Sequence, residues 1–401
     1  MSATEPDVIV VGAGPAGAAT AILLAEHGLH ALVLERGGRV RPKVCGEYLS
    51  PEAGRVLDRL GVLKTLDTAG AVVLSGMRIT APDGRVLTGR YRPVGAYRPY
   101  REHALGVSRA ILDGVLIERL RGLPVDFRDG VRVTDVIVEA GAVVGVRAVD
   151  ATGASTTFRA PVVVGADGRA SVVAQRLGCR RPHRLSRMAL VTYVSGVDDC
   201  RDFGEIFVDP PDYAILNPLA PDRVNLSLVV PLAHAARWSS RLEDFFLARV
   251  RQLPHLARRL AGASRRAPLQ AMGPLAYRVT SPREGGVLLV GDAAGFYDPF
   301  TGEGIFTALR SAELAADTVV RALRAGTVSA VALSAFERAR RAAFADKDRV
   351  TRGLQLLIGH RHLANLAGRW LCTRSAALDA LLGVIGDFVP PRALPRLLGG
   401  V

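Results

Sequence analysis

Four short, uninterrupted apolar runs punctuate the chain: Asp7 to Val11, Ala31 to Glu35, Pro161 to Gly165 and Gly286 to Gly291. Runs of this length without polar alternation read as strands buried on both faces, the signature of a parallel sheet covered by helices. Ala16 to His27 reads as the helix joining the first two, so the first 36 residues form one βαβ unit. Ser50-Pro51-Glu52 gives an N-cap serine, an N1 proline and a first-turn acid, which predicts a helix to about Leu60. Ser108 starts another, with Ile111, Leu112, Val115, Leu116 and Leu120 on one face. A long helix is expected from about Gly302 to Arg324.

Elsewhere the period drops to two. Val72 to Pro99 is β-like and glycine-rich, Val131 to Glu139 and Val143 to Val149 alternate around Ala140-Gly141 as a hairpin, and Met188 to Val230 reads as short alternating strands. Residues 329–401 are mainly helical and basic. The expected fold is α/β with two lobes: a discontinuous Rossmann-like nucleotide domain (1–70, 100–185 and 280–330), an inserted, mostly antiparallel β substrate domain (71–99 and 186–279), and a C-terminal helical segment (331–401).

Composition narrows the function classes. The net charge of +14 raises the question of nucleic acid, but only three lysines occur and the arginines are scattered, without the basic stripe of a nucleic-acid face. Nucleic acid is therefore not an expected partner. The four cysteines, Cys45, Cys179, Cys200 and Cys372, show neither CxxC nor Cys/His spacing, so no metal site or disulfide framework is expected and a cytoplasmic setting fits. No apolar stretch approaches the ~20 residues a spanning helix needs.

The candidate chemistry lies in segments between strands and helices. Gly12-Ala13-Gly14-Pro15-Ala16-Gly17 falls between the first strand and first helix. The first glycine permits the turn, the second admits a pyrophosphate and the third lets the helix pack closely, while the helix N-terminus offers N–H groups to phosphate. Glu35, with Arg36 beside it, ends the second strand where a carboxylate meets ribose hydroxyls. Alone, this segment serves NAD as well as FAD. Gly291-Asp292-Ala293-Ala294-Gly295, continuing to Pro299 and Gly302-Glu303-Gly304-Ile305, separates them. It brings an acid to a strand's carboxyl end, suited to a ribityl hydroxyl, and opens a helix N-terminus toward a flavin pyrimidine edge. Two nucleotide signatures with a single βαβ unit point to one extended cofactor, FAD.

These segments resemble the FAD-dependent family that contains p-hydroxybenzoate hydroxylase and the geranylgeranyl reductases, over roughly residues 5 to 325. Gly165-Ala166-Asp167-Gly168 is similar to the family's Asp-Gly segment, which implies that Asp167 and Gly168 touch the FAD, and Arg109 matches its arginine on the flavin side. Pro42-Lys43-Val44-Cys45-Gly46-Glu47, followed by Ser50-Pro51-Glu52-Ala53, resembles the geranylgeranyl reductase branch, where a Cys-Gly pair lies near the isoalloxazine. The resemblance implies that Gly46 admits the ring. It makes Cys45 either a proton donor to a substrate alkene or a small packing residue, with Glu47 a second candidate donor. Halogenases sharing the scaffold carry a WxWxIP segment, whereas this chain has only Trp238 and Trp370.

The expected activity is hydride transfer from reduced FAD to a carbon–carbon double bond of an apolar, isoprenoid- or polyketide-like substrate. The alternative is an NAD(P)H-dependent flavin monooxygenase acting on an aromatic or polyketide substrate; a non-catalytic flavin-binding protein is a third class. The electron donor is NAD(P)H bound transiently across the cleft, or an electron-donor protein such as a ferredoxin, or a reduced quinone. Arg338, Arg340, Arg341, Lys347, Arg349 and Arg352 precede apolar stretches in the tail, which is either a helical cap over the substrate cavity or a peripheral membrane contact that draws in lipidic substrate.

Overall fold

In the computed structural model, which describes residues 5–37 and 43–399, the earliest strand in the sequence becomes the centre of a sheet. Pro42 lies outside the described residues, as do Gly400 and Val401 of the tail. Five parallel strands run in the order Val287–Leu289, Val162–Gly165, Val8–Val11, Ala31–Glu35 and Asp126–Asp129. The four apolar runs supply the first four. The fifth was not expected: Asp-Phe-Arg-Asp carries no apolar run because it is a half-exposed edge, where charge discourages pairing with another chain.

Pro15–Glu26 packs between this sheet and the helices Arg109–Arg121 and Gly304–Arg324. Its alanine-rich surface is buried almost all round, which lets these neighbours approach closely. The expected hairpin is a three-stranded sheet, because Ser155–Arg159 pairs with Ala142–Val149 beside Arg132–Glu139.

The second lobe is one long sheet in the order Ser264–Arg265, Arg187–Ser195, Arg223–Pro231, Asp212–Ala220, Phe203–Asp209, Gly76–Thr80 and Val86–Arg90, with Gln270–Met272 also on Arg187–Ser195. Gly76–Arg90 and residues 187–231, far apart in the sequence, thus share a sheet through the parallel pair Phe203–Asp209 and Gly76–Thr80. Period-two alternation gives it two apolar faces. Leu190, Leu226 and Leu228 point toward Ala235, Phe245, Phe246 and Leu256 of three helices between 232 and 259, which the strand pattern did not anticipate. Ala189, Val191 and Val229 point the other way, into a cluster with Met77, Ile206 and the C-terminal helices.

Those C-terminal helices are Ala330–Gly359, Arg361–Cys372, Ser375–Ile385 and Leu394–Gly399. Ser375–Ile385 lies on Val86–Arg90 so closely that a Cβ on Gly89 would come within 2.6 Å of Leu382. Asp379 locks the contact by accepting hydrogen bonds from the Arg90 N–H (2.8 Å) and the Arg92 guanidinium. No helix among the described residues is long and apolar enough to cross a membrane.

Candidate active site

One cavity of about 1690 Å³ runs from the glycine loop of the parallel sheet to the inner face of the second sheet. Gly12, Gly14, Pro15, Ala16, Glu35, Arg36, Cys45, Gly46, Glu47, Arg109, Asp167, Gly168, Asp292, Pro299, Gly302, Gly304 and Ile305 all line it. Gly17 and Gly295 do not. A Cβ on Gly17 would fall 1.9 Å from the Gly12 carbonyl oxygen, so this glycine seats the helix under the loop, and Gly295, at φ +124°, turns the backbone.

The phosphate end is built around Gly14. A Cβ there would meet only the Lys43 and Arg109 cations, 3.9 and 4.0 Å away, so the loop faces open space with two positive groups on its rim. Asp113 aims both cations: it accepts two hydrogen bonds from Arg109, each 2.9 Å, and one of 2.7 Å from Lys43. Burial opposes the charge on Arg109, but Asp113 more than restores it and leaves the guanidinium firmly protonated. Sequence reading passed over Asp113, although its i,i+4 spacing from Arg109 was a visible signal. At the adenosine side, the Glu35 carboxylate orders the loop by accepting from the Ala13 N–H (2.7 Å) and the Gly37 N–H (3.0 Å).

The loop Cys45-Gly46-Glu47 forms the cavity's middle, and three strands of the second sheet hold it. Asn217 donates to the Gly46 and Glu47 carbonyls, and Asn225 donates to the Cys45 carbonyl and to Glu47 Oε2, at 2.9 to 3.0 Å. Glu47 Oε1 accepts from Tyr193 (3.0 Å) and from the Arg109 N–H (2.9 Å). Tyr193, Asn225 and Asn217 are register neighbours on adjacent strands, so they form one row across the sheet. Together they stabilise Glu47 at φ +56°, a conformation that non-glycine residues seldom adopt. Glu47, expected as a second candidate donor, is thus buried with three hydrogen bonds directed at its carboxylate, which ties it to the loop's architecture.

Cys45, the first candidate donor, accepts from the Glu47 N–H through its sulfur at 3.3 Å. Burial pushes its thiol up, while the adjacent Arg109 cation pulls the other way. The thiol is therefore neutral at rest, with a cation in place to hold the thiolate it would leave. No heavy atom lies within 4 Å of where a Cβ of Gly46 would point, so the loop presents open space to the cavity.

Beside the glycine loop, Asp292 lines the cavity; among the described residues its carboxylate has no hydrogen-bond partner, and burial raises its pKa. Asp167 accepts from the Val172 N–H (2.6 Å) through Oδ2, whereas its buried Oδ1 has no partner and burial again raises the pKa. Two acids on the cavity wall with unused acceptor positions are what a polyhydroxylated ligand would satisfy.

Beyond them the cavity opens into a chamber lined by Met77, Ile79, Val191, Ile206, Ile215, Val229, Met272, Leu382 and Ile385. Two residues not singled out from the sequence stand at its mouth: the buried Tyr48 and Tyr91 hydroxyls share a 2.6 Å hydrogen bond. Gly302 is tied to this spot, since a Cβ there would come 2.7 Å from the Tyr48 ring. Behind the tyrosines, Lys347 pairs with Glu303 (3.1 Å) and with Asp387. Burial, and the Glu303 charge against the pull of Lys347, push Asp387 up to about 6. Trp238 and Trp370 do not line the cavity.

The residues fit FAD: Glu35 would meet the ribose, the glycine loop with Lys43 and Arg109 the pyrophosphate, and Asp292 the ribityl chain, with Asp167 beside the loop and open backbone at Gly46 for the ring. Fold and groove together define an FAD-dependent oxidoreductase. The chain belongs to the family described as "FAD binding domain", whose model matches residues 5–347. It is 30% identical over 356 residues to digeranylgeranylglycerophospholipid reductase 1 of Methanococcoides burtonii, covering 85% of this chain and 81% of that protein. Among solved structures, a flavin-dependent brominase matches with a TM-score of 0.85 at 21% identity over 99% of both chains. A geranylgeranyl bacteriochlorophyll reductase-like protein from Thermoplasma acidophilum matches at 0.73 and 22% over 98% of this chain and 96% of that one. At these identities the structural likenesses show the fold alone.

Proposed function

We propose that the protein reduces a carbon–carbon double bond of an apolar, isoprenoid- or polyketide-like substrate. The chamber carries this reading: its wall is mostly aliphatic and aromatic, the described residues give it no charged side chain, and it opens onto the Cys45-Gly46 loop. FAD, bound and reduced, supplies the hydride. The double bond becomes single as hydride joins one carbon and a proton the other, and Cys45 is placed to give that proton. Arg109 then stabilises the thiolate until solvent returns the proton. Glu47 acts as a positioning residue, fixing the loop against the second sheet. The 30%-identical relative is by name a reductase of a digeranylgeranyl lipid, which supports the same chemistry. Electrons reach the flavin from NAD(P)H across the cleft or from a ferredoxin or reduced quinone.

Gln270, Ser227 and Asn217 give one chamber wall polar contacts that a polyene does not need, and they favour the second reading, monooxygenation of an aromatic or polyketide ring. The test is anaerobic reduction of the enzyme followed by mixing with a polyprenyl alkene or, separately, with oxygen and an aromatic. Stoichiometric flavin reoxidation by the alkene, with a product two hydrogens heavier, is the expected result. Oxygen consumption coupled to a hydroxylated product, with no alkene reduction, would overturn it.

A further inference from the structure

The helix Arg361–Cys372 is built inside out. Its protein-facing side is mostly small or polar: Gly368, whose Cβ would stand 3.1 Å from Ala81, Ala364, and Asn365, which accepts from the Asp83 N–H at 3.0 Å, with Leu371 the one large apolar residue half-buried there. Its other three large apolar residues, Leu363, Leu366 and Trp370, follow i, i+3, i+7 spacing and face outward, joined by Leu356 from the helix before. Four of the ten exposed large apolar side chains among the described residues fall in these fifteen positions, so the patch is concentrated rather than part of an ordinary scatter.

Along the sequence, the charge of this segment is one-sided. From Arg349 to Leu378 there is no aspartate or glutamate, but there are Arg349, Arg352, Arg361, Arg369 and Arg374 and two histidines. Arg361 and Arg369 reach Asp209 and Asp83 yet stay 55% and 63% exposed, and Arg374 lies 4.9 Å from the Trp370 ring. Leucines and a tryptophan ringed by arginines match the boundary of an anionic bilayer, where acyl chains take the former and headgroups the latter. Two residues later begins Ser375–Ile385, which supplies Leu382 and Ile385 to the chamber wall.

The geometry points to this surface as a docking site for an anionic lipid bilayer, placing the chamber's covering helix at the source of a lipidic substrate. The route, though not the docking, rests on the proposed alkene reduction. The test is co-sedimentation of the FAD-loaded protein with vesicles of phosphatidylcholine, with and without phosphatidylglycerol. Binding is expected with the anionic vesicles and should weaken with salt. L366E/W370E should lower it at least about tenfold, and R369Q/R374Q should lower it only where phosphatidylglycerol is present. Flavin content should be unchanged in both variants, which establishes that they fold. No sedimentation of the wild type, or equal sedimentation of L366E/W370E, would overturn the proposal. So would a dimer that L366E/W370E dissociates, since a second copy would then cover the face. Vesicle binding needs no turnover, so binding without alkene reduction would remove the proposed reaction and leave the docking site standing.

Discussion

Cys45 and Glu47 are two residues apart and do different work. If the thiol gives the proton, Cys45→Ser should lower the single-turnover rate of substrate reduction about 10²-fold or more, with flavin content and flavin reduction unchanged. Equal, modest effects of Ser and Ala on both half-reactions would make Cys45 a packing residue. Glu47→Gln should instead act on the fold. One carboxylate oxygen accepts from two donors and the other from one, and an amide nitrogen cannot accept, so roughly 1.5–3 kcal/mol of stability should be lost along with flavin retention. Melting temperature and bound flavin report both; a stable, flavin-replete variant with slow substrate reduction would make Glu47 the acid after all. Both residues were legible as candidates from their loop. Their difference was not, because it depends on Tyr193, Asn217 and Asn225, whose alignment exists only in the register of three strands.

At the scale of the element, the glycine loop separates two ways of losing FAD. Gly14→Val adds side-chain atoms on the cavity side, so the apo fold should survive while FAD no longer binds. Gly17→Ala pushes a methyl against the Gly12 carbonyl, and the helix must move, costing about 1–3 kcal/mol by overpacking even without FAD. Thermal melts of the two apoproteins should therefore differ, with Gly17→Ala the less stable; the reverse order would mean the roles of these glycines are exchanged. Such glycines are readable from sequence because a turn and a close helix contact accept little else. Asp126–Asp129 and Ser155–Arg159 were not, since strands with exposed faces need no apolar pattern, and the helices between 232 and 259 had no strong caps to mark them.

For the molecule as a whole, the buried group Glu303–Lys347–Asp387 ties the C-terminal segment to the cofactor lobe. Asp387 titrates near 6 in the folded chain against an ordinary 3.8, so the fold binds this proton more tightly than the unfolded chain does. Its contribution is then unfavourable at neutral pH and is relieved as pH falls from about 6 to about 4. Relative to Asp387→Asn, the wild type should gain stability over that window, by up to roughly 3 kcal/mol. Parallel melting temperatures of the two proteins across the window would show instead that Lys347 keeps Asp387 ionised.

The order of strands in the parallel sheet also sets a timetable. The central strand leaves the ribosome before its sheet partners, but the edge strand Val287–Leu289 and the helix start at Gly304 follow only after the whole intervening lobe. A nascent chain can form the βαβ unit early, yet the wall bearing Asp292 and Gly302 is missing until those residues have been synthesised, about 270 positions after the unit is complete. Flavin capture is therefore a late event in the life of each molecule, and the strands that form most of the substrate chamber emerge before the lobe that encloses the cofactor is complete.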